Sequence, residues 1–262
     1  MSMKQLYNYH THTSRCGHAY GSDEEYVLAA IEAGYKVLGF SDHSPYRDYP
    51  NKTSHMNWEE FPGYVDSIRY LKEKYKDVID IKLGIETEYY PDYMDEKKEM
   101  MKSLDFCLLG QHFIHPDGSG SFFKNVSNEE IRIYAKGVCD GLETGFFTYL
   151  CHPDVFLTRQ EVFNETCEEV AHMIAKKAAE TNTPMEINVH GILRGLHEFP
   201  QGLRYYYPFR EFWQIVAQYP VKVLIGIDAH DPKQLLDKES MDKAYEVVED
   251  LDLDFITEPF IR

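Results

Sequence analysis

Seven histidines and three carboxylates stand in short patches at or just past the ends of apolar runs. They read His10-Thr11-His12, His18, Asp42-His43, Glu86, His112, His152 and Asp228-Ala229-His230. Imidazole and carboxylate are the usual donors to zinc, manganese and iron. Donors spread over a whole chain can share one site only if their strand ends converge. That requirement constrains the fold more than any other feature of the chain.

Apolar strand-like runs cover 6–10, 37–43, 81–86, 106–113, 148–152, 185–189 and 223–230, with 255–260 as a weaker eighth. Helical spacing separates them. Ser22-Asp23-Glu24-Glu25 and Ser127-Asn128-Glu129-Glu130 have the form of capping boxes, opening helices toward Ala33 and Thr144. Segments 64–75, 165–181, 209–219 and 241–251 carry the same period. Repeated strand–helix alternation predicts a parallel α/β sheet, either doubly wound or closed into a barrel. In a barrel every strand's C-terminal end opens onto one mouth, whereas an open sheet strings the ends along a line. The position of the donors therefore favours the barrel, read as one domain over 1–262.

Bulk properties narrow the function. Forty-four acidic residues against 27 basic ones give a net charge of −17, which repels a nucleic-acid backbone and disfavours long nucleic acid as a partner. A small anionic substrate remains compatible if bound ions make the pocket locally positive. The five cysteines are odd in number and lack a CxxC, which fits a reducing cytoplasm better than a disulfide framework. No signal core and no membrane span are visible in the sequence, so no membrane partner is expected. Oligomeric state is left open.

Each motif is weak alone. In His10-Thr11-His12 the two imidazoles sit at i and i+2, the same side of a strand, and can approach one ion together. Asp228-Ala229-His230 repeats that spacing with mixed donors. Glu86 closes the run Leu83-Gly84-Ile85, where a carboxylate is costly unless paired or metal-bound. Glu88 faces the same side and competes with it for the role. His112 and His152 could each be a satisfied core histidine, and His18 and His43 solvated loop histidines. Joint occurrence in register with the strand ends argues for metal binding. His190 follows another strand end and is expected to line the pocket, as is part of the loop 44–62. Cys151 reads as a small buried hydrophobe. Arg194 and Arg159 fall in loops after strands and suit phosphate, whereas Arg15 reads as an ordinary surface residue.

These patches, in this order, resemble the polymerase-and-histidinol-phosphatase (PHP) superfamily of metal-dependent phosphoesterases. The resemblance runs from His10 to about Pro232. Within it the chain is most similar to histidinol-phosphate phosphatases, through Gly84-Ile85-Glu86 with Tyr89-Tyr90, Gly110-Gln111-His112-Phe113-Ile114, and Glu186-Ile187-Asn188 running to Gly191 and Arg194. It departs from the family pattern at Gln111, where a small residue is common, and at Val189-His190, where small hydroxyl residues are common.

The resemblance implies a distorted (β/α)7 TIM-like barrel holding three divalent first-row ions (zinc, manganese or iron). His10, His12, Glu86 and Asp228 would hold one ion, and Glu86 would bridge to a second held by His112 and His152. His18, His43 and His230 would hold the third. Glu86, Asp228 and His230 would serve catalysis, and Arg159 and Arg194 would grip phosphate. The implied reaction is hydrolysis of a small phosphate monoester by metal-activated hydroxide, with L-histidinol phosphate, an intermediate of histidine biosynthesis, as the leading substrate. The rivals are a PHP phosphoesterase acting on a nucleotide or another small ester, a non-catalytic metal-binding module, and an amidohydrolase-type barrel.

Overall fold

The computed structural model describes residues 5–49 and 54–261. Met1 at the chain's head, Pro50 of the loop 44–62 and the final Arg262 lie outside the described residues. Eight parallel strands form one sheet: β1 (Tyr7–Asn8), β2 (Val37–Phe40), β3 (Asp80–Thr87), β4 (Phe106–Leu109), β5 (Tyr149–Leu150), β6 (Met185–Asn188), β9 (Lys222–Gly226) and β10 (Asp254–Phe255). They pair in that order. Strands β7 (His197–Phe199) and β8 (Gly202–Arg204) form a separate hairpin, which the sequence pattern did not disclose. The expected eighth run does join the sheet, as β10 beside β9.

The sheet curls until β1 meets β9, beyond their paired residues. A bridge pairs Thr11 with Ala229, with His12 N–H donating to the Ala229 carbonyl at 2.9 Å. Below it, side-chain amides replace the missing ladder. Gln5 Nε2 donates to the Ile225 carbonyl (2.6 Å), and Asn8 Oδ1 accepts from Ile227 N–H (2.9 Å). The patches His10-Thr11-His12 and Asp228-Ala229-His230 are thereby locked side by side, although they are more than two hundred residues apart in the chain.

Helices cover the outer face. They are α1 (Asp23–Ala33), α2 (Phe61–Lys74), α3 (Met94–Met101), α4 (Asn128–Glu143), α5 (Glu165–Thr181), α6 (His190–Leu193), α7 (Arg210–Val216) and α8 (Lys238–Glu246). Both predicted capping boxes close in both directions, Ser22 with Glu25 and Ser127 with Glu130. Helices α7 and α8 are shorter than their periodic segments. Helix α3 escaped prediction because its buried row is Met94, Lys97 and Met100, with a lysine in an apolar position. Lys97 is tolerated there by donating to the Pro45 carbonyl at 2.5 Å and by resting over the Tyr46 ring. Among the described residues no helix is long and apolar enough to cross a membrane.

Inside the curl, alternate residues of the strands form a second core from Tyr7, Tyr9, Phe106, Leu108, Tyr149 and Leu224. Strand β10 pairs with the first residues of β9, so the chain's end lies opposite the donor patches. From there Phe260 and Ile261 pack into the inner core, and Tyr9 Oη accepts both their N–H groups (3.0 and 3.2 Å). The terminal segment thus both joins the sheet and stops its lower end.

Room for the Phe106 ring comes from Gly84 on β3, where a Cβ would stand 2.6 Å from three of its ring carbons. Gly84→Ala should cost about 1–3 kcal/mol by overpacking. Adding Phe106→Leu should recover part of it, as read from urea unfolding midpoints of the single and double variants.

Candidate metal centre

Apart from His18, ten residues past β1, the strands end two to four residues before the candidate donors, whose side chains hang from the turns above β1, β2, β4, β5 and β9. Only Glu86 projects from within a strand. At two donor positions the backbone leaves the ladder sharply: His152 has φ 31° and Asp228 φ 56°. Left-handed backbone at a non-glycine residue costs about 1–2 kcal/mol and is held only where the surroundings impose it. It turns these side chains into the barrel mouth.

Glu86 is the centre of the arrangement and is fully buried. Its Oε2 stands 3.4 Å from His10 Nε2, 3.5 Å from His12 Nε2 and 3.1 Å from His43 Nδ1. Its Oε1 stands 2.7 Å from His152 Nε2 and 3.1 Å from His112 Nε2. Asp228 Oδ1 closes the first group at 2.9 Å from His12 Nε2 and 3.5 Å from His10 Nε2. The two nitrogens of His112 and His152 are 3.2 Å apart. Across the mouth, His18 Nε2 and His230 Nε2 stand 3.0 Å apart, and the His43 ring lies 5.2 Å from the His18 ring.

Hydrogen bonding accounts for only some of these contacts, such as His152 Nε2 with Glu86 Oε1. His10 Nε2, His12 Nε2, Glu86 Oε2 and Asp228 Oδ1 are all buried without a hydrogen-bond partner. A buried polar atom left this way costs roughly 1–3 kcal/mol. Ligand atoms about 2.0–2.2 Å from a tetrahedral ion stand roughly 3.3–3.6 Å from one another. The separations around the orphaned atoms fall close to that range, and the donor set suits zinc and its first-row neighbours. The residues present therefore fit divalent ions.

Several of the remaining ring nitrogens are oriented from outside, while His152 Nδ1 is buried without a partner. Glu186 takes His10 Nδ1 at 2.9 Å, and Glu88 takes His112 Nδ1 at 2.9 Å. Asp42 stands 3.5 Å from His12 Nδ1 and accepts from Thr13 Oγ1. Backbone carbonyls do the same for His18 (Cys16, 3.1 Å) and His230 (Asp228, 2.9 Å). Carboxylate or carbonyl behind a ligating imidazole sets its tautomer and raises its basicity. Glu88, the sequence rival of Glu86, belongs to this outer set; it also accepts from Tyr46 Oη (2.8 Å) and faces His55 (3.3 Å). Glu186 was not assigned a role from the sequence. Its signal is there, a carboxylate between Met185 and Ile187 in a buried strand. Two glycines leave space for these acids. A Cβ at Gly110 would fall 2.0 Å from Glu86 Oε1, and one at Gly226 2.0 Å from Glu186 Oε2.

Glu86, Asp228, Asp42, Glu88 and Glu186 are all buried, and their close charged partners are histidines. Burial alone would raise the Glu86 carboxyl, but His112, His10 and His43 hold it well below the usual range. Burial alone would lower the imidazoles, yet Asp228 and Asp42 raise His12 to about 9, and Glu86 and Glu88 raise His112 to about 10. Protons on these rings balance the carboxylates where ions do not.

Other expectations resolve as follows. Arg15 forms a two-point pair with Asp23 (2.8 Å each), in keeping with an ordinary structural role. Cys151 is buried as expected, but its Sγ abuts Glu86 Oε1 at 3.0 Å, and Cys16 borders His18 and His230. A cavity of about 290 Å³ opens over the cluster, with His18, His43, His112, Asp228 and His230 among its lining. Ser54, Phe113, Phe123, His190, Arg194 and Tyr207 complete it. The loop 44–62 thus contributes a wall through Ser54. Arg194 faces the cavity, whereas Arg159 lies behind Tyr206, its guanidinium 4.6 Å from that ring, over a neighbouring surface hollow.

A family model described as the PHP domain matches residues 8–190. A probable histidinol-phosphatase of Deinococcus radiodurans is 24% identical over 243 residues, covering 89% of each chain. One of Schizosaccharomyces pombe is 26% identical, over 86% of this chain and 81% of its own. The crystal structure of histidinol phosphate phosphatase from Lactococcus lactis, complexed with zinc, L-histidinol and phosphate, superposes with a TM-score of 0.74 at 20% identity. It covers 97% of this chain and 96% of its own. That likeness is one of fold.

Raised imidazole pKa values make a testable signature in the chelator-treated protein. A folded-state pKa above the unfolded value of 6.5 gives stability that is complete below pH 6.5 and lost as pH rises through about 10. Bound ions replace those protons. The melting temperature of chelated protein should therefore fall relative to zinc-loaded protein as pH goes from 6.5 toward 10. Parallel curves would remove the charge-balance argument.

Proposed function

The chain belongs to the PHP domain family, and on that premise we propose that it is a metal-dependent phosphomonoesterase acting on L-histidinol phosphate. The observation that carries this reading is the set of orphaned, buried donor atoms, His10 Nε2, His12 Nε2 and Asp228 Oδ1, grouped with the orphaned Oε2 of Glu86. The names and fold of the similar phosphatases support the substrate. The cavity's volume, about 290 Å³, supports a small one.

Three ions are proposed. His10, His12, Glu86 and Asp228 would hold the first, Glu86 with His112 and His152 the second, and His18, His43 and His230 the third. The number rests on the three groups of donors. Five buried carboxylates meet no lysine or arginine among their close partners, and either two or three divalent ions would bring that charge within one unit of balance. When bound, the ions supply Lewis-acid charge that makes water a nucleophile near neutral pH and offsets charge on the phosphoryl group.

The protein's own contribution is orientation and exclusion. Glu186 and Glu88 hold His10 and His112 with Nε2 toward the centre. Arg194 presents a guanidinium to the cavity, where it would take a phosphoryl oxygen. Arg159 would join it only by leaving the Tyr206 face. Phe113, Phe123 and Tyr207 shield the site from bulk water. Four buried and one half-buried free thiol favour a reducing, cytosolic setting for this step of histidine biosynthesis.

The test is steady-state phosphate release from L-histidinol phosphate beside mononucleotides and sugar phosphates, with manganese or zinc present. A kcat/KM far above the panel is expected for L-histidinol phosphate. Glu86→Ala and Asp228→Ala should each lose more than about a hundredfold in turnover, the scale of removing one transition-state charge stabiliser. A different winner in the panel would move the substrate and keep the chemistry; full activity in either variant would refute the site.

A further inference from the structure

His190 is a cavity residue with no place among the proposed ion ligands. It starts α6 directly after β6, and its backbone N–H is held by Asn188 Oδ1 at 2.9 Å. Its ring Nδ1 lies 3.2 Å from the Asp228 carbonyl oxygen. A carbonyl only accepts, so Nδ1 carries the hydrogen. In the neutral ring Nε2 is then a lone-pair acceptor with no hydrogen-bond partner among the described residues, on a side chain that lines the cavity. The same carbonyl fixes His230 in the same tautomer at 2.9 Å, and the two rings lie 4.9 Å apart.

Two features of the cavity decide what such an acceptor can meet. Asp228 is the only carboxylate in its described lining, and its Oδ1 is committed among His10 and His12. Arg194, four residues on from His190, also lines the cavity and offers donors alone. Phosphoryl oxygens are acceptors and would be drawn to Arg194 and to cations; they gain nothing from a second lone pair. A donor on the alcohol half of the substrate has the opposite need. Phe113 and Phe123 can flank a cationic or polar group but cannot accept a directed hydrogen bond as a nitrogen lone pair does.

Building on the phosphatase reading above, we infer that His190 Nε2 selects the leaving group, accepting a hydrogen bond from an N–H or O–H on the alcohol half of the phosphate ester. His190 is thus a specificity residue for the alcohol half of the ester. The geometry makes the acceptor stiff: ring and backbone are each held by one bond, so little ordering remains to be done on binding.

The experiment compares kcat/KM for L-histidinol phosphate with that for 4-nitrophenyl phosphate, whose leaving group has no donor, in metal-loaded wild-type protein, His190→Phe and His190→Gln. Phenylalanine keeps the ring and removes the acceptor, and glutamine returns an oxygen near the Nε2 position. The ratio of the two esters should fall about tenfold to a hundredfold in His190→Phe, mainly through KM, and recover in part in His190→Gln. Metal equivalents per chain should stay at the wild-type number in both variants. An unchanged ratio, or the loss of a metal equivalent, would overturn the assignment while leaving the phosphatase reading intact. Wild-type protein inert toward both esters would overturn both.

Discussion

One buried carboxylate organises this molecule. Glu86 has no solvent exposure and no lysine or arginine beside it, and five imidazoles approach its two oxygens. A charge in that position is sustained only by strong local counter-charge. The strand ends, the left-handed turns at His152 and Asp228, and the missing side chain at Gly110 all serve that neighbourhood. A methyl group at Gly110 would occupy the place of Glu86 Oε1 itself.

The fold is the device that brings the donors together. Parallel strands deliver their C-terminal ends to one mouth, and the Thr11–Ala229 bridge makes the first and last donor patches neighbours. Closure at that point does not rest on a continuous backbone ladder. Gln5 and Asn8 supply side-chain amides between β1 and β9, while Phe260 and Ile261 fill the opposite end. The site is thus framed by local devices, each attributable to a few named residues.

Much of this was legible in the sequence, for definite physical reasons. Strand-end donors stand out because imidazole and carboxylate are out of place after apolar runs, and the Ser22 and Ser127 boxes announce their helices. Other parts were hidden. Helix α3 buries Lys97 where a pattern search expects an apolar side chain. The β7–β8 hairpin has no buried residue and carries little periodic signal. The difference between Glu86 and Glu88 is invisible to spacing, since both face the same side; only the fold shows that one meets the clustered imidazole nitrogens and the other stands behind His112. Arg159 and Arg194 look alike as loop arginines and both pack against Tyr206, but only Arg194 lines the cavity.

The most direct test of the central claim is to locate the ions. Anomalous difference maps from crystals of zinc-loaded protein, collected on either side of the zinc edge, should show three peaks. One belongs among His10, His12, Glu86 and Asp228, one beside His112 and His152, and one beside His18, His43 and His230. Density confined to surface carboxylates, with Glu86 touching no peak, would contradict the account.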